Sequence, residues 1–361
     1  MQIFENSVIQ GDMEDIYSRD ISWSDFEHST VLITGAYGML ASYLTLFFIW
    51  LNEKKGMEIS IIIAVRNEKK AKKIFGDALD REYLHLYLKD INQKFEYDGR
   101  IDYIFHAAGI ANPKLYSSFP VEVAETNVIS TYQLLSWSVE HHIKGFLMFS
   151  SGDIYGKVTK ISRIRESDMG MVDPLDIHSC YSESKRMSET WCMAYEKEYN
   201  VHAMVVRICH TYSPLMDLEN DPRVFASFVK DALTHKDINI MSDGTACRPF
   251  CYITDAIAAF LLIVISGKGG EAYNLSNCSE FIEIKQLANV ISELTGGQSK
   301  VIIKGERNDG YLENKDNHSN CPTEEKLLKL GWHHRVNTKE GFRRVLMYNE
   351  IQRRYIENEN S

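Results

Sequence analysis

A glycine-containing turn follows the first strand-like run of the chain. The segment VLITGAYGMLASYL places Gly35 and Gly38 between that run and an apolar helix predicted from about Met39 to Asn52. The oxygens of a dinucleotide pyrophosphate must approach the backbone and the N–H groups at a helix start, and glycine permits this approach. The pattern therefore predicts a dinucleotide site, with a simple tight turn as the alternative.

Strand-like and helix-like stretches alternate from Thr30 onward. The strand candidates are nearly continuous apolar runs, as expected for parallel strands buried on both faces. They are TVLITG, ISIIIAVR, RIDYIFHAAG, IKGFLMFSSG and NVHAMVVRIC. Long helices are predicted over Val121 to Glu140 and Tyr181 to Tyr199. This alternation predicts an α/β fold with a Rossmann-type, doubly wound parallel sheet.

The regular alternation of strands and helices ends at about Arg207, and the sequence after it predicts loops, helices and short strands such as DINIM and EAYNL. We predict an N-terminal extension over residues 1–28, a Rossmann dinucleotide-binding domain over 29–207 and a smaller, mainly substrate-binding C-terminal region over 208–361. The second boundary is soft, because no Pro or Gly run marks it, and the chain may cross back into the sheet.

Charge and hydropathy exclude several function classes. The chain of 361 residues has a formal net charge of −10 and no long Lys/Arg cluster, which disfavours a nucleic-acid partner. Its longest apolar stretches, Tyr43 to Leu51 and Ala256 to Ile265, fall short of the roughly 20 residues of a membrane span. The polar, acidic start of the chain does not resemble a signal peptide. We therefore expect a cytoplasmic protein without a membrane partner.

The seven cysteines include no C-x-x-C pair, so we expect reduced thiols that act as small apolar residues. Cys247 and Cys251 lack further ligands at metal-binding spacing, and we predict no metal.

The second strand candidate ends in IIIAVRNEKK, where NAD-binding proteins often carry an acidic residue for the ribose 2′-hydroxyl. Here Arg66 stands instead, and an arginine can accommodate a 2′-phosphate. NADP is therefore possible, and a solvated arginine is the alternative.

A tyrosine and a lysine lie four residues apart in CYSESKRMSE. A phenol with a pKa of about 10 is a poor base unless a cation favours its ionised form. Lys185, one helical turn beyond Tyr181, can supply that charge. A surface Tyr/Lys pair is the alternative, and the glycine turn and the segment FSSGDIYG, with Ser151, argue against it.

Four motifs occur in order between Thr30 and Trp332: T-G-x-x-G-x-x-A, H-A-A, S-S-x-x-x-Y-G and Y-x-x-x-K. With them the chain resembles an extended short-chain dehydrogenase/reductase of the NAD-dependent nucleotide-sugar epimerase/dehydratase family. The resemblance implies that Ser151, Tyr181 and Lys185 handle protons while a nicotinamide takes a hydride from sugar C4 and often returns it. It further implies tightly bound NAD, a homodimer paired through the two long helices, and a role in polysaccharide biosynthesis.

The resemblance also implies the binding residues. The coenzyme set is Gly35, Tyr37, Gly38, Met39, Arg66, Asp90, Ile91, Ala107, Ala108, Gly109, Asn127, Tyr181 and Lys185. The substrate set is Asn112, Ser151, Gly152, Asp153, His210, Arg223 and Arg248, with the two arginines at positions that hold the diphosphate.

Resemblance to UDP-glucuronate decarboxylases extends over longer stretches, including GIANPKLYSSFPVEVAETNVIST and GTACRPFCYITDAI. It implies C4 oxidation, loss of CO₂ from the β-keto acid, reprotonation and hydride return, with Asp153 as a catalytic residue where that branch has Glu. The 4,6-dehydratases carry an acid where Gly152 stands. His210 replaces an Asn near the substrate.

Other activities stay open at this point. A nucleotide-sugar epimerase is the close alternative, followed by a 4,6-dehydratase and an NADPH-dependent 4-keto-sugar reductase, which Arg66 supports. A non-catalytic nucleotide-binding protein is disfavoured by the intact Ser151, Tyr181 and Lys185 set.

Overall fold

The computed structural model describes residues 3–158, 163–305 and 321–359. The strands are β1 Thr30–Thr34, β2 Ser60–Ala64, β3 Leu84–Tyr87, β4 Tyr103–His106, β5 Gly145–Ser151, β6 Arg163–Ile164, β7 Ala203–Ile208, β8 Thr211–Tyr212, β9 Ile238–Ile240, β10 Cys247–Pro249, β11 Cys251–Tyr252, β12 Ala272–Leu275, β13 Phe281–Glu283, β14 Val301–Ile303 and β15 Cys321–Pro322. The α-helices are α1 Ser7–Tyr17, α2 Met39–Lys55, α3 Glu68–Phe75, α4 Pro113–Ser118, α5 Pro120–His141, α6 Ser179–Tyr199, α7 Val224–Leu233, α8 Ile253–Ser266, α9 Ile284–Leu294, α10 Glu325–Lys329 and α11 Thr338–Glu359.

The centre of the molecule is a seven-stranded parallel sheet of order β12-β7-β5-β4-β1-β2-β3. The predicted α/β class and doubly wound sheet are confirmed. Strand β12 comes from beyond residue 208 and pairs with β7, so the chain crosses back into the sheet. The sheet strand β3 had no strand-like run in the sequence.

Alternate residues of each central strand point to opposite faces of the sheet. On β1, Val31 and Ile33 join a core shared with α2 and α8, whereas Leu32 joins a core shared with α5 and α6. Residues on both faces of the strand are fully buried, which explains why the strand candidates are continuous apolar runs in the sequence.

The N-terminal extension folds as helix α1 against α8 and α11. The buried Asp12 accepts hydrogen bonds from the hydroxyls of Tyr43 and Tyr252, and it pairs with Arg344 at 2.8 Å. Burial raises the pKa of Asp12 to about 6, although its partners lower it. Hydrogen bonds and an ion pair of Asp12 therefore connect the extension to α2 and to the C-terminal helix α11.

The cysteines differ from the expectation of seven reduced thiols. Cys278 and Cys321 form a disulfide with Cα atoms 6.1 Å apart, and the other five are free. The prediction of reduced cysteines is wrong for this pair, because the fold brings together two residues 43 positions apart in a way that spacing does not reveal. In the parts of the chain that the structure describes, no helix is both long and apolar enough to cross a membrane.

Candidate active site

The glycine turn connects β1 to α2 at the carboxyl edge of the sheet. Gly35 has φ +64°, and a Cβ there would lie 2.9 Å from the Cα of Ala108. A side chain at Gly35 is thus excluded by both its backbone angle and the neighbouring strand end. Gly38 is the N-cap of α2, whose first N–H groups face the turn. This geometry would suit an anion, as the predicted dinucleotide site requires.

A buried hydrogen-bond chain fixes the two strand ends beside the turn. Thr34 Oγ1 lies 2.9 Å from His106 Nδ1 and accepts from the Ala108 backbone N–H at 3.0 Å. His106 Nε2 lies 3.0 Å from Thr131 Oγ1 on α5. Burial, followed by the charge of Lys185, lowers the pKa of His106 to about 3. The sequence alone did not predict this hydrogen-bond chain, although Thr34 and His106 each end an apolar run.

Gly109 leaves room for two polar groups of the site. A Cβ at Gly109 would lie 2.8 Å from Asn127 Oδ1 and 3.1 Å from Lys185 Nζ. Asn127 Oδ1 is buried and accepts no hydrogen bond within the described chain, while its Nδ2 donates to Ser184 at 2.8 Å. An unsatisfied buried acceptor beside an ammonium group marks space for a polar ligand.

Tyr181 lies on α6 above the end of β5. The hydroxyl of Ser151 hydrogen-bonds the Tyr181 phenol, and the ring of Tyr116 stacks on it with centroids 4.9 Å apart. Burial raises the pKa of Tyr181, the Asp153 carboxylate raises it further, and the Ser151 hydrogen bond lowers it. Stacking by Tyr116 was not foreseen, because α4 lies far from Tyr181 in sequence.

Lys185 is buried one turn further along α6. Its Nζ donates to the Phe149 carbonyl oxygen at 2.8 Å and lies 6.0 Å from the centroid of the Tyr181 ring. Burial lowers the pKa of Lys185 to about 8, against a rise caused by the Glu189 carboxylate. The predicted pair thus lies together on one face of α6, with the ammonium group near the phenol ring.

Gly152 and Asp153 begin a short 3₁₀ turn after β5, capped by Ser151. A Cβ at Gly152 would lie 2.8 Å from Cys209 Sγ, so an acid at this position would displace a buried thiol. The Asp153 side chain is exposed to solvent on the cleft side and is surrounded elsewhere by protein atoms. These atoms desolvate the carboxyl and raise its pKa, and the charge of Arg248 lowers it.

His210 follows β7 with φ +44° and reaches the cleft surface. Partial desolvation by the surrounding protein atoms lowers the pKa of His210 to about 3, and the charges of Arg248 and Arg223 contribute to this fall. Its imidazole can donate a hydrogen bond at neutral pH, but it is not an acid there.

Arg223 spans from the substrate region to the glycine turn. Its Nη1 donates to the Thr211 carbonyl at 2.7 Å, and its Nη2 lies 3.6 Å from Met39 Sδ. It also pairs with Asp221 at 2.5 Å. A diphosphate held by Arg223 would share the guanidinium with this carboxylate.

The remaining predicted residues surround the cleft. Arg66 interacts with Tyr37, Glu122 and Asp90 beyond the end of β2. Ile91 is buried next to Asp90. Contact between these residues and the adenosine end of a coenzyme stays a prediction.

Asn112 caps α4 by accepting from the Lys114 N–H at 3.1 Å, which gives it a structural task beside its predicted substrate contact. Within the described ranges, no three His, Cys, Asp or Glu side chains cluster as a metal site would require.

The residues present fit a nicotinamide dinucleotide. The glycine turn would receive the pyrophosphate, while Lys185 and the free oxygen of Asn127 would meet polar groups near the nicotinamide end.

Known proteins resemble this chain in sequence and fold. A model of the NAD dependent epimerase/dehydratase family matches residues 31–276. UDP-glucuronic acid decarboxylase 3 of Arabidopsis thaliana is 28% identical over 311 residues, which are 86% of this chain and 86% of that protein. UDP-glucose 4-epimerase of Thermotoga maritima has a TM-score of 0.75 at 22% identity, covering 90% of this chain and 99% of that one.

The Bordetella bronchiseptica enzyme WbmF, solved with NAD⁺ and UDP, has a TM-score of 0.72 at 19% identity, covering 93% of this chain and 96% of that one. Both structural likenesses support the fold. The predicted family and the prediction of an enzyme are confirmed by the family match over more than half of the residues. This chain belongs to the NAD dependent epimerase/dehydratase family.

Proposed function

We propose that this chain decarboxylates a nucleotide-linked uronic acid, with UDP-glucuronate as the first candidate. The observation that carries the proposal is the Asp153 carboxyl, which has a raised pKa and faces the cleft near Tyr181, while Gly152 carries no acid. The UDP-glucuronic acid decarboxylases among the relatives support the same reaction.

Oxidation at C4 begins the reaction. Tyr181, assisted by the Ser151 hydroxyl and the Lys185 charge, takes the proton of the C4 hydroxyl as the C4 hydride leaves. A bound nicotinamide would supply the hydride acceptor and later the hydride donor. The carboxylate at C5 is then β to a ketone.

Loss of CO₂ follows from this placement. The C5–carboxylate bond breaks, its electrons enter the C4 carbonyl, and the enolate oxygen receives hydrogen bonds from Tyr181 and Ser151. Asp153, whose carboxyl has a raised pKa, is the proposed donor of the proton that C5 receives. Tyr181 finally returns its proton to the C4 oxygen as the hydride returns to C4.

A 4,6-dehydratase requires an acid that expels the C6 hydroxyl. The corresponding position is Gly152, where Cys209 Sγ occupies the space of a side chain. This contact disfavours dehydration more strongly than the missing residue alone. A C4 epimerase is the second candidate, because the same Tyr181 chemistry serves it without a C5 acid.

The proposal is tested by mass spectrometry on mixtures of the protein with UDP-, dTDP-, GDP- and CDP-linked sugars and uronic acids. We expect loss of CO₂ from a uronic acid. Loss of water would mean a dehydratase, an unchanged mass with altered retention would mean an epimerase, and turnover only of keto-sugars with added NADPH would mean a reductase.

NAD is the proposed coenzyme, and tight binding is proposed with it. NADP is the second candidate, because two cationic side chains, Arg66 and Lys70, lie beside Tyr37. An acidic residue in this region would exclude a 2′-phosphate, whereas cations can accept it. Dissociation constants of both dinucleotides test this point. Binding of NADP within about tenfold of NAD, lost in Arg66→Asp, would support NADP; strong discrimination against NADP would exclude it.

A homodimer is proposed through α5 and α6. Their outer faces expose Ile129, Tyr132 and Met187, with Trp191 beside them, and such an apolar face suits a two-fold contact. Sedimentation of the parent chain and of Ile129→Lys tests the proposal, and a monomeric parent would contradict it.

The cytoplasm is the proposed location and polysaccharide precursor synthesis the proposed role. The Cys278–Cys321 disulfide is unusual for a reducing compartment, so alkylation of the protein inside unbroken cells, followed by mass spectrometry, tests the location. Two alkylated thiols would support the cytoplasm, and an intact bond would contradict it.

A further inference from the structure

Three side chains of α6 lie one helical turn apart above the carboxyl end of β5. They are Tyr181, Lys185 and Glu189, at a spacing that puts them on one face of the helix. Each is hydrogen-bonded to β5, so α6 has three attachment points there. The partners are, in the same order, Ser151, Phe149 and Ser150.

Glu189 forms a buried ion pair in addition. Arg207 donates from Nε to both carboxylate oxygens, at 3.1 and 3.2 Å, and from Nη2 at 2.8 Å. Glu189 is 8% exposed and Arg207 4% exposed. Arg207 on β7 is the register partner of Ser150 on β5, and the Ser150 hydroxyl donates to the same carboxylate. Glu189 thus connects α6 to two adjacent strands.

We propose that Glu189 is a positioning residue whose carboxylate keeps Lys185 an ammonium ion and, with Arg207 and Ser150, fixes α6 over the end of β5. This proposal depends on the proposed function in one respect, which is that Lys185 takes part in the reaction.

The charges around Lys185 support this assignment. Burial disfavours the ammonium form, and the Glu189 carboxylate opposes that effect. Among the described groups on the elements packed against Lys185, Cys192 on α6 has a raised pKa and His106 on β4 a lowered one, so both are neutral near pH 7. Tyr181 is a further titratable neighbour, and Arg207 is bonded to the Glu189 carboxylate.

The test uses protein labelled with [ε-¹³C]lysine. Lys185 is assigned by the signal missing in Lys185→Met, and its pKa is read from the pH dependence of the ¹³C shift. In Glu189→Gln we expect the Lys185 midpoint to fall from about 8 by about one pH unit, because a nearby anion is lost while Arg207 stays. Glu183→Gln, which removes a half-buried carboxylate paired with Arg186 on the same helix, is the matched control and should leave the Lys185 midpoint unchanged.

Two further variants keep the proposal testable if Glu189→Gln does not fold. Glu189→Asp keeps the charge, and we expect a midpoint close to the parent value. The double variant Glu189→Gln, Arg207→Gln leaves no unpaired buried charge, and its midpoint should still lie below the parent value. An unchanged Lys185 midpoint without Glu189, or an equal fall in Glu189→Asp, would overturn the proposal.

Kinetics give an independent measurement. In Glu189→Gln the loss of kcat should be larger at pH 8 than at pH 6, about fivefold at the higher pH, because Lys185 is then about half protonated in the parent and about one-tenth protonated in the variant. A purely structural defect would lower kcat equally at both values and contradict the proposal. Absence of turnover by the parent chain would contradict the proposed function, whereas the NMR midpoint would still decide the role of Glu189.

Discussion

The proton-handling side and the substrate side of the cleft are built differently. On the proton-handling side, Tyr181 and Lys185 lie on one helix, α6, and both contact one strand, β5. On the substrate side, Gly152, Asp153 and His210 are shaped by residues from distant parts of the chain, namely Cys209, Arg248 and Arg223. In the proposed reaction, the first side carries out the C4 chemistry, and the second decides what happens to the ketone.

This difference suggests how one scaffold supports several reactions. Hydride transfer at C4 requires one fixed geometry, so its residues lie on rigid elements. The fate of the ketone depends on one or two groups near C5, and those groups can change without disturbing α6. Substitutions on the two sides should therefore have separable effects.

Tyr181→Phe should have the largest effect. Removing the phenolic proton acceptor should lower kcat by about 10³-fold, within the range of general acid–base catalysis. Coenzyme binding, followed by fluorescence titration, should stay within about twofold. Tyr199→Phe, on the exposed end of the same helix, is the control. Unaffected turnover in Tyr181→Phe would refute the assigned role.

Asp153→Asn should lower the rate of product formation by about 10- to 100-fold, because the amide cannot protonate C5. In the parent, kcat should decrease as the pH rises through the raised pKa of Asp153, and this basic limb should be absent in the variant. The exposed Asp176→Asn serves for comparison. A basic limb that persists in Asp153→Asn would assign proton delivery to another group.

Gly152→Asp introduces the acid of the dehydratase pattern. The side chain would collide with Cys209, and overpacking of this kind destabilises by about 1–3 kcal/mol. We expect a lower midpoint of thermal unfolding and no loss of water from the substrate. Cys209→Ala as a second change should restore stability, whereas Gly11→Ala, which meets no neighbour inside helix α1, should not lower it. Normal stability of the single variant would contradict the steric argument.

His210→Asn should have a small effect, limited to substrate binding. A neutral imidazole between two arginines contributes at most hydrogen bonds, so KM should rise several-fold while kcat changes less than about threefold. His235→Asn, also at positive φ and exposed, controls for the backbone strain. A pH-dependent loss of kcat would instead indicate acid catalysis by His210.

Asp12→Asn lies outside both sides of the cleft and should leave kcat unchanged. The folded pKa of Asp12, about 6, exceeds its ordinary value, so stability is greatest below the unfolded pKa and decreases as the pH rises to 6. The loss is at most about 3 kcal/mol. Denaturant unfolding between pH 4 and 7 should show a flatter dependence in Asp12→Asn, and an unchanged slope would contradict the account.

Sequence alone predicted the elements with strong local signals. The strand β1, the turn at Gly35 and the helix bearing Tyr181 each have a local physical signature, namely an apolar run, a glycine and a four-residue spacing. Strand β3 escaped prediction, because its four residues, LHLY, are short and only partly buried. Helix boundaries were accurate to within a few residues.

Long-range pairings were not predictable from local patterns. The contact between Gly152 and Cys209 joins residues 57 positions apart, and the Cys278–Cys321 bond joins residues 43 apart. The stacking of Tyr116 on Tyr181 likewise depends on how α4 packs beside α6. Such contacts arise from the fold as a whole, and they contribute to both sides of the cleft.

The most direct test of the central claim is turnover of UDP-glucuronate in D₂O, followed by NMR of the product. If Asp153 protonates C5 after CO₂ is lost, the product is a nucleotide-linked pentose with one solvent deuterium at C5, and Asp153→Asn forms it much more slowly. A six-carbon product without deuterium at C5 would contradict the account and assign the chain to epimerisation.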